Sequence, residues 1–371
     1  MRPLGIYIHI PFCRAKCRYC DFCSHPPMDG EIADYIARLC ADIGSWRDRM
    51  ASYTADTVYF GGGTPSLLTP GQVGDVLDAL ARSVSVARDA EITLECNPAT
   101  ASETALREIR RAGVNRLSIG AQSLNDAELR VLGRLHDAAA IGDTVGAARR
   151  AGFDNISLDL MYGIPLQTRH SLAATLRGVF DMAPEHVSAY GLRVEPDTPF
   201  GRMGDRLSLP REDDVADMYL DVCDTLGSAG ILQYEISNFA RAGRESRHNL
   251  KYWHCDEYLG FGPAASSCFG GVRFTAARDM AGYAAGRLSE KTVLTPSDRE
   301  VEYVMLALRL CEGVRYDDYA VRFGMSAAKK YSARLTRYVS AGLVNESAEG
   351  FALTRRGMLV SNSILADILD L

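Results

Sequence analysis

The chain has 371 residues, of which 47% are hydrophobic and 24% charged, and its net charge is −6. This composition is typical of a globular protein, and the acidic balance gives no general attraction to nucleic acid or to an anionic membrane surface. No run approaches the ~18 apolar residues of a membrane span, and the N-terminus carries no signal-peptide pattern. We therefore expect a cytoplasmic protein with reduced thiols and no nucleic-acid partner.

A strand–helix alternation runs from the N-terminus to about residue 195. Segments with apolar residues at helical spacing separate six short apolar runs. We predict these runs to be strands at 5–10, 56–60, 91–95, 116–120, 155–160 and 186–192. Six such units predict a parallel sheet, either open and doubly wound or partly closed into a barrel of the TIM kind. In a barrel, functional groups gather where strands end and loops begin.

The rest of the chain differs in character. Residues 196–293 are less regular and include a glycine- and aromatic-rich stretch. Residues 294–371 show helices followed by a two-stranded wing, which is a winged-helix outline. From residue 291 onward there are 11 basic and 10 acidic residues, a balance that favours a small docking domain over a DNA-binding one. We therefore predict three parts, 1–195, 196–293 and 294–371.

Four of the ten cysteines lie in the short segment 12–24, and three have the spacing Cys13-x3-Cys17-x2-Cys20. Zinc sites usually need two ligand pairs, and no second pair follows here. Three thiolates on one loop suit an iron–sulfur cube, which usually takes four cysteines. With three, one iron is left open to an exogenous ligand. A zinc loop beside a DNA-binding winged helix is the alternative.

Glycines and polar residues follow the predicted strands, where a barrel would present them: Gly62, Gly63, Glu95, Gln122 and Asp159. The glycines let the backbone bend and approach a ligand closely. Polar groups at successive strand ends predict one ring of contacts to a polar ligand, with Arg134 as its charge partner. The alternatives are a tight turn, helix caps and a solvated arginine.

The Cys-x3-Cys-x2-Cys loop resembles that of the radical S-adenosylmethionine superfamily. In that superfamily the amino and carboxylate groups of S-adenosylmethionine chelate the open iron. The resemblance implies a partial (β/α)6 TIM-like barrel and a [4Fe–4S] cluster held by Cys13, Cys17 and Cys20. It also implies contacts to S-adenosylmethionine from Tyr7, Tyr19, Gly62, Gly63, Thr64, Glu95, Gln122, Arg134 and Asp159.

The likeness extends along essentially the whole chain. The segments YIHIPFC, FGGGTPS, ECNP, SIGAQS, DLMYGIP, YEISNFA and SRHNLKYW together resemble the oxygen-independent coproporphyrinogen III oxidase group. Three features point to the haem-chaperone branch of that group. Phe22 stands where the oxidases have a further cysteine. The sequence shows no counterpart of the N-terminal arm that the oxidases carry before the barrel. HNLKYW at 248–253 matches the chaperones' haem-binding H-N-x-x-Y-W motif.

Resemblance to this branch implies a cytosolic chaperone that carries haem and passes it to acceptor haemoproteins such as membrane cytochromes. A flavodoxin or ferredoxin would donate electrons wherever the cluster is reduced. The alternative is an enzyme, an oxygen-independent coproporphyrinogen III oxidase, and the sequence leaves enzymatic activity and the catalytic residues open. His248 is the predicted haem ligand, because an imidazole is a natural axial ligand of haem iron. Its alternative role is structural hydrogen bonding inside a small core.

Overall fold

A computed structural model describes residues 1–370. Its central feature is a row of six strands that pair in parallel and in chain order. The strands are β1 (Arg2–Ile10), β2 (Tyr53–Gly62), β3 (Ser85–Cys96), β4 (Arg116–Gln122), β5 (Ile156–Tyr162) and β6 (His186–Gly191). The six predicted strands are confirmed, and β2 and β3 begin several residues earlier than their apolar runs indicate. β1 and β6 do not pair with each other, so the row does not close. Residues of β2 to β6 line one common cavity, so the row curves into a partial barrel.

Helices cover the outer face of this row. They are α1 (Glu31–Ser45), α2 (Arg47–Met50), α3 (Pro70–Ser83), α4 (Glu103–Ala112), α5 (Asp126–Leu132), α6 (Ala138–Arg150) and α7 (Arg169–Asp181), with a 3-10 turn at Pro65–Leu67. Thr69 begins α3 through a capping box with Gln72, which satisfies backbone N–H groups that the first helical turn leaves free. Gly113 ends α4 with φ 123°, as the predicted helix stop requires.

Alternation along the strands separates an apolar face from a polar one. In β1, the fully buried Ile6, Ile8 and Ile10 alternate with Tyr7 and His9. The isoleucines belong to the main apolar core, which also contains side chains of the surrounding helices. Successive strand residues point to opposite faces, so the tyrosine and the histidine face the interior of the partial barrel.

The second half of the chain extends the row at both edges. Beside β1 lie β9 (Tyr258–Phe261), β10 (Ser266–Phe269), β11 (Val272–Ala276) and β12 (Leu288–Val293), and beyond β6 lie β8 (Asn238–Ala240) and β7 (Leu232–Gln233). The result is a twelve-stranded sheet. The helices of this part are α8 (Glu212–Ser228), α9 (Arg247–Trp253) and α10 (Met280–Ala284), with a 3-10 segment at Gly201–Arg206.

The C-terminal part has three helices followed by a hairpin, in agreement with the predicted winged-helix outline. Its elements are α11 (Pro296–Ala307), β13 (Val314–Arg315), α12 (Tyr316–Phe323), α13 (Ala327–Ser340), β14 (Val344–Glu346), β15 (Gly350–Leu353), α14 (Arg355–Leu359) and α15 (Ser361–Leu369). Residue 371 of the predicted part lies outside the described residues. The boundaries at 195 and 293 stay predictions, because strands on both sides of residue 195 share one sheet.

Within residues 1–370, no helix combines the length and the apolar character that crossing a bilayer requires.

Candidate cofactor site

The interior of the partial barrel is a cavity of about 520 Å³. Its walls are the inward-facing residues of the strands, and its mouth is the cysteine loop between β1 and α1. The residues at the end away from that loop are here called the cavity floor: Tyr59, Arg116, Ser118 and Asn249. The volume lies within the usual range for small-molecule sites.

The structure brings eleven predicted site residues together around this cavity. They are Cys13, Cys17, Tyr19, Cys20, Gly62, Gly63, Thr64, Glu95, Gln122, Arg134 and Asp159. Tyr7 and His248 are not among the lining residues. The Tyr7 ring packs inside the partial barrel against the lining residue Tyr59, on which it stacks, and its hydroxyl is 3.0 Å from His9 Nδ1.

Two of the loop cysteines receive hydrogen bonds from elements outside the loop. The Thr64 hydroxyl donates to the sulfur of Cys13, and Arg134 Nη1 donates to the sulfur of Cys17, both at 3.4 Å. Cysteine binds metal through its sulfur as the thiolate, and donors placed beside the sulfur can hydrogen-bond that form. The donors therefore suit an iron–sulfur cluster on Cys13, Cys17 and Cys20.

The arrangement of these thiols suits a cluster better than a zinc ion. Within residues 1–370, no three His, Cys, Asp or Glu side chains converge closely enough to hold a single metal ion. Zinc ligands must meet at one tetrahedral centre, whereas a cube takes each cysteine on a separate iron.

Cys23, the fourth cysteine of the segment, faces away from the cavity. Its sulfur donates to the backbone carbonyl of Arg278 at 3.0 Å, and its own carbonyl lies 2.8 Å from His9 Nε2. Because a carbonyl only accepts, Nε2 carries the proton, and His9 Nδ1 accepts from the Tyr7 hydroxyl. Burial lowers the pKa of His9, which keeps the ring neutral and this tautomer in place. His9 thus fixes the end of the cysteine loop to β1.

The glycine strip at the end of β2, residues 61–63, is required by close packing. Gly62 has φ 107°, and a Cβ there would lie 2.5 Å from the His9 ring. A Cβ on Gly63 would lie 2.5 Å from the Phe12 carbonyl oxygen. The strip can therefore run directly beside the cysteine loop only without side chains.

Two carboxylates, Glu95 and Asp159, face the middle of the cavity. Tyr59 donates to Glu95 at 2.9 Å, the Gly62 N–H donates to it at 3.1 Å, and the Ser118 hydroxyl donates to Asp159 at 3.0 Å. Burial, followed by the charge of Asp159, raises the pKa of Glu95 to about 8, and burial also raises the pKa of Asp159. The two carboxyl groups repel each other when both are ionised, and cationic or hydroxyl groups of a ligand would relieve that repulsion.

Arg134 and Gln122 complete the wall near the cysteine loop. Arg134 Nη2 donates to Asn97 Oδ1 at 2.6 Å and to the Gly120 carbonyl at 3.0 Å. Gln122 has φ 61° at an irregularity of the β4–β5 pairing, and its buried Oε1 has no partner within residues 1–370. Positive φ is uncommon outside glycine, and such strain is often found at ligand sites.

The HNLKYW segment forms α9, which closes the cavity floor. The Glu91 carboxylate accepts from the N–H groups of Arg247 and His248, at 3.1 and 3.0 Å. Lys251 Nζ lies 2.8 Å from Asp56 Oδ2 in β2. Of the motif, only Asn249 lines the cavity.

His248 is buried beneath the floor with 1% exposure. Its Nδ1 lies 2.9 Å from the Thr57 hydroxyl, its Nε2 lies 2.7 Å from the Tyr252 hydroxyl, and its ring stacks on Tyr59. Burial lowers its pKa to about 3, so the ring is neutral. Neither nitrogen is free for a haem iron in this arrangement, which supports the structural alternative. A haem-ligand role for His248 stays a prediction.

Sequence reasoning missed several residues that line the cavity: Tyr59, Asn97, Arg116, Ser118, Ser188, Tyr190 and Asn249. The strand sequences contain a pattern that could have identified most of these residues. Buried parallel strands usually read as continuous apolar runs, whereas here polar residues recur at every second position, as in Arg116 and Ser118 of β4. Such alternation indicates a polar barrel interior.

Comparison with known proteins gives the family. Residues 7–178 match the Radical SAM superfamily, and residues 294–360 match the HemN C-terminal domain. The protein named heme chaperone HemW from Bacillus subtilis is 35% identical over 373 residues, covering 98% of each chain. The one from Escherichia coli is 34% identical, covering 98% of this chain and 97% of the other. The chain belongs to the HemW family. Membership of the radical SAM superfamily implies S-adenosylmethionine and an iron–sulfur cluster as cofactors.

A solved structure extends the likeness to the oxidases. Coproporphyrinogen III oxidase (HemN) from Escherichia coli, described as a radical SAM enzyme, superposes with a TM-score of 0.87 and 26% identity. The match covers 99% of this chain and 90% of that one. The predicted radical SAM barrel with its added C-terminal part is thereby confirmed as the fold of the HemW-family chain.

Proposed function

We propose that this protein is a cytoplasmic haem chaperone, which binds haem and transfers it to acceptor haemoproteins such as membrane cytochromes. The observation that carries the proposal is its 35% identity, along 98% of both chains, to a protein named heme chaperone HemW. Relatives with that name also come from Lactococcus lactis and Haemophilus influenzae, with similar identity and coverage.

The cluster in this proposal is [4Fe–4S], with Cys13, Cys17 and Cys20 as its ligands. When bound, it supplies an iron with an open position and, after reduction by a flavodoxin or ferredoxin, an electron. Hydrogen bonds to the sulfurs of Cys13 and Cys17 hold the thiolates, and Arg134 adds a positive charge beside Cys17. Cys23 stays outside the ligand set because its sulfur is bonded to the Arg278 carbonyl.

S-adenosylmethionine would occupy the cavity beside the loop. The backbone of Gly62 and Gly63 would approach its amino group, and Arg134 would face its carboxylate. Glu95 and Asp159 would accept hydrogen bonds from its hydroxyl groups and favour its positive charges. Tyr7, Tyr19, Thr64 and Gln122 retain their proposed roles as contacts or supports of this cofactor.

The second candidate is an oxygen-independent coproporphyrinogen III oxidase. The superposition on the Escherichia coli oxidase favours it, because the two proteins share the barrel in which a porphyrinogen would react. Phe22, 64% exposed at the cavity mouth, speaks against it, since the sequence resemblance assigns a further cysteine of the oxidases to that place.

One paired experiment separates the two functions. The protein is reconstituted with iron and sulfide without oxygen, then assayed for haem binding and for conversion of coproporphyrinogen III in the presence of S-adenosylmethionine and a reductant. We expect saturable haem binding and no protoporphyrinogen. Steady protoporphyrinogen formation without haem affinity would reverse the assignment.

A further inference from the structure

The cavity floor contains a buried positive charge without a partner. Arg116 begins β4, has 1% exposure and lines the cavity. Its buried Nε makes no hydrogen bond, and no carboxylate within residues 1–370 lies within the 4.0 Å salt-bridge distance of its guanidinium. Lys251, also buried, shows the usual arrangement, with Asp56 at 2.8 Å. An internal ion pair therefore does not account for the burial of the Arg116 guanidinium.

The groups beneath Arg116 do not neutralise it. His186 and His248 are kept uncharged by burial, which lowers the pKa of both. Glu95 and Asp159 face the same cavity beyond ion-pair distance, and burial raises the pKa of both, although the charge of Arg116 lowers each. Burying a guanidinium without a counter-ion is unfavourable, so an anion bound at the floor would remove the cost.

A second donor faces the same space. The side-chain amide of Asn249 lines the cavity, and within residues 1–370 it forms no hydrogen bond. A guanidinium offers N–H groups in a planar fork that matches the two oxygens of a carboxylate. An amide N–H that faces the same cavity offers a further donor to such a group.

We propose that Arg116 and Asn249 form a binding site for a ligand carboxylate at the cavity floor. One guanidinium suits a single negative charge, which fits a carboxylate better than a multiply charged phosphate. The carboxylate has two sources: a propionate of haem, which rests on the proposed function, or a free small carboxylic acid. The site also gives the HNLKYW motif a ligand contact through Asn249 while His248 supports the floor.

The first test uses the reconstituted full chain with sodium propionate as the probe and neutral propionamide as its isostere. We compare wild type with Arg116→Gln and with Arg193→Gln, which removes a cavity arginine that is 86% exposed and already paired with Glu195. We expect propionate, but not propionamide, to raise the thermal unfolding midpoint of wild type and of Arg193→Gln. Affinity in Arg116→Gln should fall at least tenfold.

The second test compares haem with its dimethyl ester, in which both propionates are neutral. If wild type prefers free haem to the ester tenfold or more, and Arg116→Gln shows no such preference, haem is supported as the source of the carboxylate. Equal haem binding by both proteins, with propionate still distinguishing them, supports a free acid. Failure of haem to bind wild type would remove the proposed function, while the propionate test would still decide the site.

The site is contradicted if neither propionate nor free haem distinguishes wild type from Arg116→Gln. Stability of the ligand-free protein gives an independent measurement. Because Arg116 has no hydrogen-bond or ion-pair partner among residues 1–370, Arg116→Gln should unfold at the same or a higher temperature, with unchanged cluster content. A lower unfolding temperature in Arg116→Gln would mark Arg116 as a structural residue and overturn the proposal.

Discussion

Three of the four cysteines in the loop region are distinguished by the atoms that their sulfurs contact. Cys13 and Cys17 accept hydrogen bonds from Thr64 and Arg134, whereas Cys23 donates to a backbone carbonyl. A sulfur that accepts hydrogen bonds can keep these contacts when it binds metal, whereas a sulfur that donates would lose its contact. The sequence spacing predicts Cys13, Cys17 and Cys20 as ligands, but only the fold shows where Cys23 points.

Cys17→Ala should abolish the cluster, because two thiolates cannot hold a cube. Iron and sulfide content and the visible absorbance of anaerobically reconstituted protein measure this directly. Cys23→Ala is the matched control and should bind a full complement of iron. Stoichiometric iron in Cys17→Ala, or its loss in Cys23→Ala, would contradict the ligand set.

His248→Leu should destabilise the protein and change its pH dependence. The variant leaves the hydroxyls of Thr57 and Tyr252 without their partner, which costs about 1–3 kcal/mol at pH 7. In wild type the folded pKa of His248 is about 3, against about 6.5 in an unfolded chain. Between these values the unfolded state binds the extra proton, so the free energy of unfolding falls as the pH drops below about 6.5.

Urea unfolding from pH 7 to pH 4 measures both effects. The acid-induced loss of stability in His248→Leu should be smaller than in wild type by up to about 1.4 kcal/mol per pH unit. His170→Leu, at an exposed histidine, is the control and should follow wild type. Equal slopes in all three proteins would show that His248 is not held neutral by the fold.

At the scale of elements, α9 is a short helix fixed by tertiary contacts. Seven residues are too few for a stable isolated helix, so its sequence carries little local signal. Glu91 accepts from its first N–H groups, and Asp56 pairs with its Lys251. Both partners are distant in sequence, which explains why the segment reads as irregular whereas the six strands, with long apolar runs, could be predicted.

Single and double substitutions of Lys251 and Asp56 measure two contributions to the free energy of unfolding. One is the penalty of burying an unpaired charge, and the other is the stabilisation that the ion pair provides. Asp56→Asn leaves a buried ammonium unpaired and should lower the free energy of unfolding by about 3 kcal/mol. Lys251→Met should cost less, because Asp56 is partly exposed. The double variant should regain most of the loss in denaturant unfolding. Additive losses would show that the two side chains do not act as a pair.

The barrel face of each strand shows the limit of sequence reasoning more clearly. Strand positions follow from apolar runs, and the residues at strand ends follow from the barrel rule. Arg116 and Tyr59, however, do not lie at the carboxyl ends of their strands, and their common cavity depends on the parallel register of β2 to β4. That register is set by packing of the whole sheet, so one strand alone does not indicate it.

At the scale of the whole molecule, one polar cavity connects the cysteine loop at its mouth to α9 at its floor. The predicted cofactor contacts occupy the upper part, and the Arg116 site occupies the lower part. A chaperone built in this way would bind haem with the barrel and release it to an acceptor, with the cluster and S-adenosylmethionine governing the state in which haem is held.

Transfer of haem from the cluster-loaded protein to a b-type apocytochrome tests this account most directly. The Soret band of the acceptor is followed at several acceptor concentrations, with and without S-adenosylmethionine. We predict a transfer rate that rises with acceptor concentration and requires the cluster. A rate that is independent of acceptor concentration, as for passive release, or a cluster-loaded protein that retains no haem, would contradict it.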